Sequence, residues 1–175
     1  MKSAIRLLPI AFAFLSGIAS AQDATRPAGG WVISQTTSAV DYSPIATATT
    51  SSRPIAGSPS LRLSIRCRGG RSELAVSGPD ITDPGDHYFI SYRVNDGKSV
   101  QFGGVVPAFG DGVGFKGDAA ALVRSLPAEG ELAVLVMSLK GTSQQGVFSL
   151  NGLETLRAKI GQTCNWPHLL AKPNN

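Results

Sequence analysis

The chain contains only two cysteines, and each belongs to an apolar stripe that is typical of a buried face. The segment Leu61–Arg68 alternates strictly between apolar and polar residues, and Cys67 belongs to the apolar set. This period of two predicts a half-buried β-strand. In Gly152–Cys164 the main apolar residues, Cys164 among them, fall within roughly 80° of arc at the helical period of about 100° per residue. Because both patterns direct a sulfur to the interior, we predict a Cys67–Cys164 disulfide between a strand and a helix.

The first 21 residues have the three-part form of a secretory signal peptide. A charged start containing Lys2 and Arg6 precedes the apolar run Leu7–Leu15, and Ala19-Ser20-Ala21 provides a small-x-small cleavage site. We therefore expect an exported protein, with the periplasm as its compartment and release from the cell as the alternative. A disulfide persists in such oxidising surroundings.

The mature protein, Gln22–Asn175, is expected to lack a membrane span, because no later segment reaches the roughly 18 apolar residues that a span needs. Loss of Lys2 and Arg6 with the signal lowers the formal net charge from +4 to +2. This small excess gives no indication of a nucleic-acid partner.

Short strand patterns separated by glycine- and proline-rich turns dominate the remaining sequence. Two segments, Asp118–Leu126 and Gly152–Cys164, instead have a helical stripe. We predict a mainly β (α+β) fold, either an antiparallel sheet or a two-layer β-sandwich, with two short helices in the C-terminal half. The predicted organisation is a flexible lead-in (22–30), one β-rich domain (31–167) and a C-terminal tail (168–175).

Two further expectations concern particular segments of this domain. Glu131–Leu139 is apolar at nearly every position, which is typical of a central strand covered on both faces. Pro107–Gly117 is dense in glycine and is predicted to be irregular.

Six short segments, taken in order along the chain, resemble the sequence pattern of a known family. They are Trp31, Val40-Asp41-Tyr42-Ser43, Arg66-Cys67, Tyr92-Arg93-Val94, Phe148-Ser149-Leu150-Asn151-Gly152-Leu153 and Cys164-Asn165-Trp166. Over roughly 31–166 this order resembles the VasI/TagO family of proteins associated with type VI secretion. That family has Asp-Asp-Ser where this chain has Asp41-Tyr42-Ser43. The resemblance implies an exported accessory protein of a secretion machine, or an exported relative without that machine, and it implies no catalytic residues.

The sequence gives little support for a catalytic arrangement of side chains. Of the two histidines, His87 begins a strand and His168 lies in the tail, and no Gly-x-Ser-x-Gly motif accompanies them. A glycosidase needs two carboxyl groups about 5–9 Å apart. The four glutamates are Glu73, Glu129, Glu131 and Glu154, and three of them lie in turns or at element ends, where solvation is expected. We therefore predict that the protein is not an enzyme.

The sequence gives equally weak evidence for a metal-binding site and for a phosphate-binding site. Asp80, Asp83 and Asp86 recur at every third residue, which suits either a weak calcium site or a hydrated turn, and the turn is favoured. The alternating glycines of Gly110–Gly114 lack the Lys-Ser/Thr that a phosphate loop requires. We predict no cofactor and no metal ligand.

A row of arginines is the main candidate for binding. Arg62, Arg66 and Arg68 share the polar side of one predicted strand, Arg71 follows the turn, and Arg93 is grouped with them as a neighbour. Arginine forks suit carboxylates, so the row is a candidate surface for an acidic protein or glycan, although a solvated strand face has the same pattern.

The expected function is that of a non-enzymatic accessory protein of a type VI secretion or envelope system that acts through protein contacts. The alternatives are an inhibitor or ligand-binding module directed at a cell-wall hydrolase, and a concealed hydrolase of peptidoglycan.

Overall fold

The computed structural model describes residues 30–55 and 57–166. The predicted signal peptide (1–21), residues 22–29 of the predicted lead-in and the predicted tail (168–175) with His168 lie outside the described residues.

Five antiparallel strands form the first sheet. They are β1 (Val32–Thr37), β2 (Pro44–Ser51), β3 (Arg62–Arg68), β4 (Arg71–Ser77) and β7 (Val113–Gly114). Their order across the five-stranded sheet is β1-β2-β3-β4-β7. The strictly alternating segment identified in the sequence is β3, and the glycine pair Gly69-Gly70, with φ values of +54° and +76°, reverses the chain into β4.

Four antiparallel strands form the second sheet. They are β5 (Tyr88–Val94), β6 (Val100–Gly103), β8 (Glu131–Ser138) and β9 (Ser143–Ser149). Their order is β6-β5-β8-β9. The helices are α1 (Ala119–Ser125) and α2 (Leu153–Cys164), and a 3₁₀ turn covers Gly85–His87. The predicted fold class is confirmed, since the structure is mainly antiparallel β with two sheets and two helices in the C-terminal half.

The two sheets are joined at both sides by backbone contacts. On one side, the Arg53 amide, just beyond β2, donates to the Val147 carbonyl of β9 at 2.9 Å. On the other side, Val105, just beyond β6, forms a bridge with Gly114 of β7. The sheets therefore enclose a single buried cluster to which β3, β5 and β8 all contribute.

Helix α2 packs against β2 and β3. Its buried residues are Leu153, Leu156, Ile160 and Cys164, which is the predicted stripe. Ala46 and Ala48 are fully buried on β2, and their small side chains leave room for the helix. Cys164 is bonded to Cys67 of β3, with 5.7 Å between the Cα atoms, which confirms the predicted disulfide.

Two expectations about single segments were wrong in part. β8 buries only its inward face, while Ala133, Leu135 and Met137 on the outward face are half-buried, because the described helices pack elsewhere. The glycine-dense segment Pro107–Gly117 is not wholly irregular, since it contains β7. The two described helices, of seven and twelve residues, are too short to cross a membrane.

Candidate protein-interaction site

The outward face of the five-stranded sheet carries four of the five predicted arginines. Arg62, Arg66 and Arg68 alternate with the buried residues of β3. Arg68 lies directly opposite Arg71 in the register with β4, so these two side chains start from the same face. The sequence pattern therefore located this part of the row correctly.

Arg93 does not belong to this face. It lies on β5, whose partners are β6 and β8 of the four-stranded sheet. Its side chain is exposed on the outward side of that sheet, near Asn95, Asp96 and Glu131. The predicted grouping of Arg93 with the row was wrong, because alternation along a strand does not determine which sheet the strand joins.

Arg66 is largely covered by the segment between β6 and β7. The carboxylate of Glu73, which is opposite Arg66 in the register, accepts hydrogen bonds from the amides of Ala108 (2.8 Å) and Phe109 (3.2 Å). A Cβ added at Gly110 would overlap the guanidinium of Arg66. Within the described chain, Nε of Arg66 is buried and has no hydrogen-bond partner. Arg66 therefore lies beneath a loop that Glu73 anchors, and it does not form an open part of the surface.

The most exposed apolar side chains lie in the turn that joins β1 to β2. Val40 is 85% exposed and Tyr42 is 82% exposed. Two backbone hydrogen bonds close this turn, one from the Tyr42 amide to the Ser38 carbonyl at 3.0 Å and one from the Ser38 amide to the Ser43 carbonyl at 2.9 Å. The turn is thus tightly held, yet it presents two apolar side chains to solvent.

Tyr42 has a left-handed backbone, with φ of +53°. For an L-residue other than glycine this conformation costs about 1–2 kcal/mol, and asparagine or glycine is the usual occupant. Such strain persists only where the surrounding structure enforces it, and it is concentrated at functional positions. The tyrosine is therefore held in place against its backbone preference.

Asp41 stabilises the turn between these two apolar residues. Its carboxylate accepts hydrogen bonds from the Ser43 hydroxyl at 2.8 Å and from the Ser43 amide at 3.2 Å. The Ser38 hydroxyl, followed by these two groups of Ser43, lowers the pKa of Asp41 from 3.8 to about 2. The carboxylate is consequently ionised at every ordinary pH.

Arg68 connects the turn to the arginine row. Its Nη2 donates to the Ser38 hydroxyl at 3.4 Å and lies 3.9 Å from an Asp41 carboxylate oxygen. Since Arg71 is opposite Arg68, the β3–β4 turn and the β1–β2 turn share one end of the sheet. We call this set, consisting of Val40, Asp41, Tyr42, Arg68 and Arg71, the tip patch.

In the sequence, Val40-Asp41-Tyr42-Ser43 carries part of a family resemblance and is not predicted to form a site. A local signal was present, because two bulky apolar residues occur inside a short turn whose other residues are small or polar. Apolar residues in such a turn have no neighbouring strand against which to pack, so exposure is the expected result.

The carboxylates considered for catalysis mostly have structural partners. Glu73 anchors the loop described above, Glu131 pairs with Arg53 at 2.8 Å, and Glu154 pairs with Arg157 at 3.2 Å. Asp83 of the aspartate series lies 2.9 Å from Nζ of Lys140, and this hydrogen bond is the main cause of the raised pKa of Lys140. In residues 30–55 and 57–166, no group of three or more histidine, cysteine or acidic side chains is arranged to hold a metal ion.

No protein-family model, curated protein or solved structure matches this chain.

The pKa of Asp41 gives a prediction for the tip patch. We expect its carboxyl carbon to titrate with a midpoint of about 2 in an NMR pH series. Because the folded-state pKa is lowered, the stabilisation from this group is present above its ordinary value of 3.8 and is lost as the pH falls towards about 2. In Ser43→Ala, which lacks one donor, the midpoint should move up towards 3.8. A midpoint near 3.8 in the unaltered protein would contradict the described turn.

Proposed function

We propose that the mature protein is an exported, non-enzymatic accessory protein of a type VI secretion or envelope system, and that it acts by binding another protein through the tip patch. The observation that carries this proposal is the exposed Tyr42, which the closed turn holds in a left-handed conformation. The signal-like N-terminus and the Cys67–Cys164 disulfide support export, and the family resemblance supports the link to a secretion or envelope system. The periplasm is the proposed compartment.

The composition of the tip patch is that of an interface centre. Tyrosine and arginine are among the residues enriched at binding hot spots, where one truncation often costs 2 kcal/mol or more. The turn is already ordered by its hydrogen bonds, so binding would immobilise few additional groups. A preformed aromatic anchor of this kind favours recognition of a pocket on a folded partner.

The charges of the patch indicate the chemistry of that partner. Asp41 offsets part of the charge of Arg68, while Arg71 lies beside Arg68 as a second cation. The patch therefore has an excess of one positive charge around two apolar side chains. A partner surface with an apolar pocket and at least one carboxylate would complement it, since guanidinium groups bind carboxylates in fork-like pairs.

The non-enzymatic part of the proposal is supported by the roles of the acidic residues. Glu73, Glu131 and Glu154 each have a partner that explains their position without catalysis. His87 is exposed at the start of β5, and its backbone contacts Pro84 and Leu139.

The test is capture of partners from an envelope extract on immobilised mature protein, with quantification by mass spectrometry. The tip variant is Val40→Ser with Tyr42→Asn, because asparagine tolerates the left-handed backbone and keeps the turn intact while the aromatic ring is removed. Leu139→Ser is the matched control, since Leu139 is 63% exposed in a different turn.

We expect specific partners to bind the unaltered protein and the control, and to bind the tip variant about 30-fold more weakly, which corresponds to about 2 kcal/mol. Recovery of no specific partner, or equal recovery on the tip variant, would refute the proposal.

A second candidate function, inhibition of a cell-wall hydrolase, is favoured by the rigidity of the same turn. A closed turn with a projecting tyrosine can fill a substrate cleft, and preorganised inhibitors bind with little change of shape. In lysozyme-type assays, this alternative predicts slower hydrolysis with micromolar mature protein and normal hydrolysis with the tip variant. Unchanged rates with the unaltered protein would remove it.

A further inference from the structure

The two sheets have four outer edges, and three of them are closed or short in the described part of the chain. β7 has two residues, and its Gly114 is bridged to Val105. β6 has four residues. β9 is longer, but Arg53 donates to its Val147 carbonyl, and Ser52 lies so close to Gly146 that an added Cβ would meet it at 2.8 Å.

β1 is the fourth edge, and in residues 30–55 and 57–166 it is open. It has six residues and pairs only with β2 among the described residues. In an antiparallel strand, alternate residues direct their N–H and C=O groups away from the paired neighbour. Half of the β1 backbone groups therefore point away from β2, and no described strand pairs with them. The last four side chains, Ser34 to Thr37, are exposed, although the Gln35 side-chain amide donates to the Thr163 hydroxyl of α2 at 3.1 Å.

The sequence of β1 also lacks the features that normally keep an edge unpaired. Natural edge strands are protected by charged residues, proline, bulges or short length. Val32–Thr37 contains no charged residue and no proline, and its register with β2 runs without a bulge. Such an edge is suited to accept another strand.

We propose that β1 pairs in antiparallel orientation with β1 of a second copy of this chain. A two-fold axis perpendicular to the sheet relates the two strands, so that outward-facing residues pair with outward-facing residues. With the axis at Ser34, the serine faces its own copy, and Val32 faces Thr36 of the second copy. Every such pair is uncharged, and valine and threonine are β-branched residues that suit strands.

The charges elsewhere on the face do not oppose this arrangement. The β3 strands of the two copies would be separated by five strand spacings of about 4.8 Å each, or roughly 24 Å. That distance exceeds the Debye length of about 8 Å at physiological ionic strength, so repulsion between the two arginine rows would be screened. An uncharged, self-complementary edge at this distance from the arginines fits a second copy of the chain.

Dimerisation would place both tip patches on one continuous ten-stranded sheet. The tip of each β1–β2 turn, at Val40, lies about six residues along the hairpin from the axis at Ser34, which separates the two patches by about 40 Å. A dimer would therefore be bivalent, and two linked sites can raise the overall affinity for a repeated partner by about 10²-fold or more. This inference does not depend on the proposed function, because dimerisation is measured with the purified protein alone.

The test uses complementary charges at the axis. The mass of purified mature protein is measured by light scattering and sedimentation equilibrium over a concentration series. We expect a dimer for the unaltered protein and monomers for Ser34→Lys and for Ser34→Glu alone, since like charges directly opposite one another repel. An equimolar mixture of the two variants should restore the dimer. Gln101→Lys, on the β6 edge of the other sheet, is the matched control and should remain dimeric.

A monomer at all concentrations would overturn the proposal, as would dimers that persist in both Ser34 variants separately. A second measurement covers the case in which the variants fold poorly. In the unaltered protein, hydrogen exchange of the β1 amides should become slower as the concentration rises from the monomeric to the dimeric range. Exchange at β1 that is independent of concentration would also overturn the proposal, because pairing within one chain or with another protein leaves no such dependence.

Discussion

The attachment of α2 to β3 is the constraint on which the rest of the structure depends. Cys67 and Cys164 are separated by 97 residues in sequence, and their bond closes a loop that contains β4, β7 and all four strands of the second sheet. In the chain-entropy model, closing a loop of about this length stabilises the fold by roughly 4–5 kcal/mol, which is comparable to the whole stability of a small domain. The bond and the packing of α2 on Ala46 and Ala48 act at the same place, so the helix is held by both covalent and apolar contacts.

This attachment also organises the end of the sheet that carries the tip patch. The Ser72 hydroxyl donates to Sγ of Cys164 at 3.0 Å and accepts from Nε1 of Trp166 at 2.7 Å. Ser72 directly follows Arg71, and Arg71 is opposite Arg68, which contacts the β1–β2 turn. The disulfide, the last helix and the exposed tyrosine are therefore connected through a short series of neighbouring residues. An anchored sheet end is what a preformed binding surface requires.

The elements that were predicted correctly have patterns that are local and repeat several times. The alternation in Leu61–Arg68 and the helical stripe in Gly152–Cys164 each repeat often enough to identify a buried face. Because each buried face contains a cysteine, the two patterns together predicted the disulfide. The fold class followed from the number of such strands and the positions of the two helices. Asp118, the first residue of the predicted segment Asp118–Leu126, caps α1, because its carboxylate accepts from the Ala121 amide at 2.9 Å.

The features that were missed depend on contacts between distant segments. β7 has only two residues and exists because β4 lies beside it, so no period could reveal it. Arg93 shares a sequence pattern with the arginine row, yet pairing places it in the other sheet. Arg66 has the same local pattern as Arg62, but Glu73 fixes a loop over it that begins more than thirty residues later. The tip patch combines two turns, and only the register of three strands brings them together.

The most direct measurement of the central claim is non-reducing peptide mapping of the mature protein, purified natively with free thiols blocked at lysis. The described structure predicts one cross-linked species that joins the peptide containing Cys67 to the peptide containing Cys164, with no blocked thiol at either position. Recovery of both cysteines in blocked form would contradict it, because α2 would then lack its covalent attachment to the sheet.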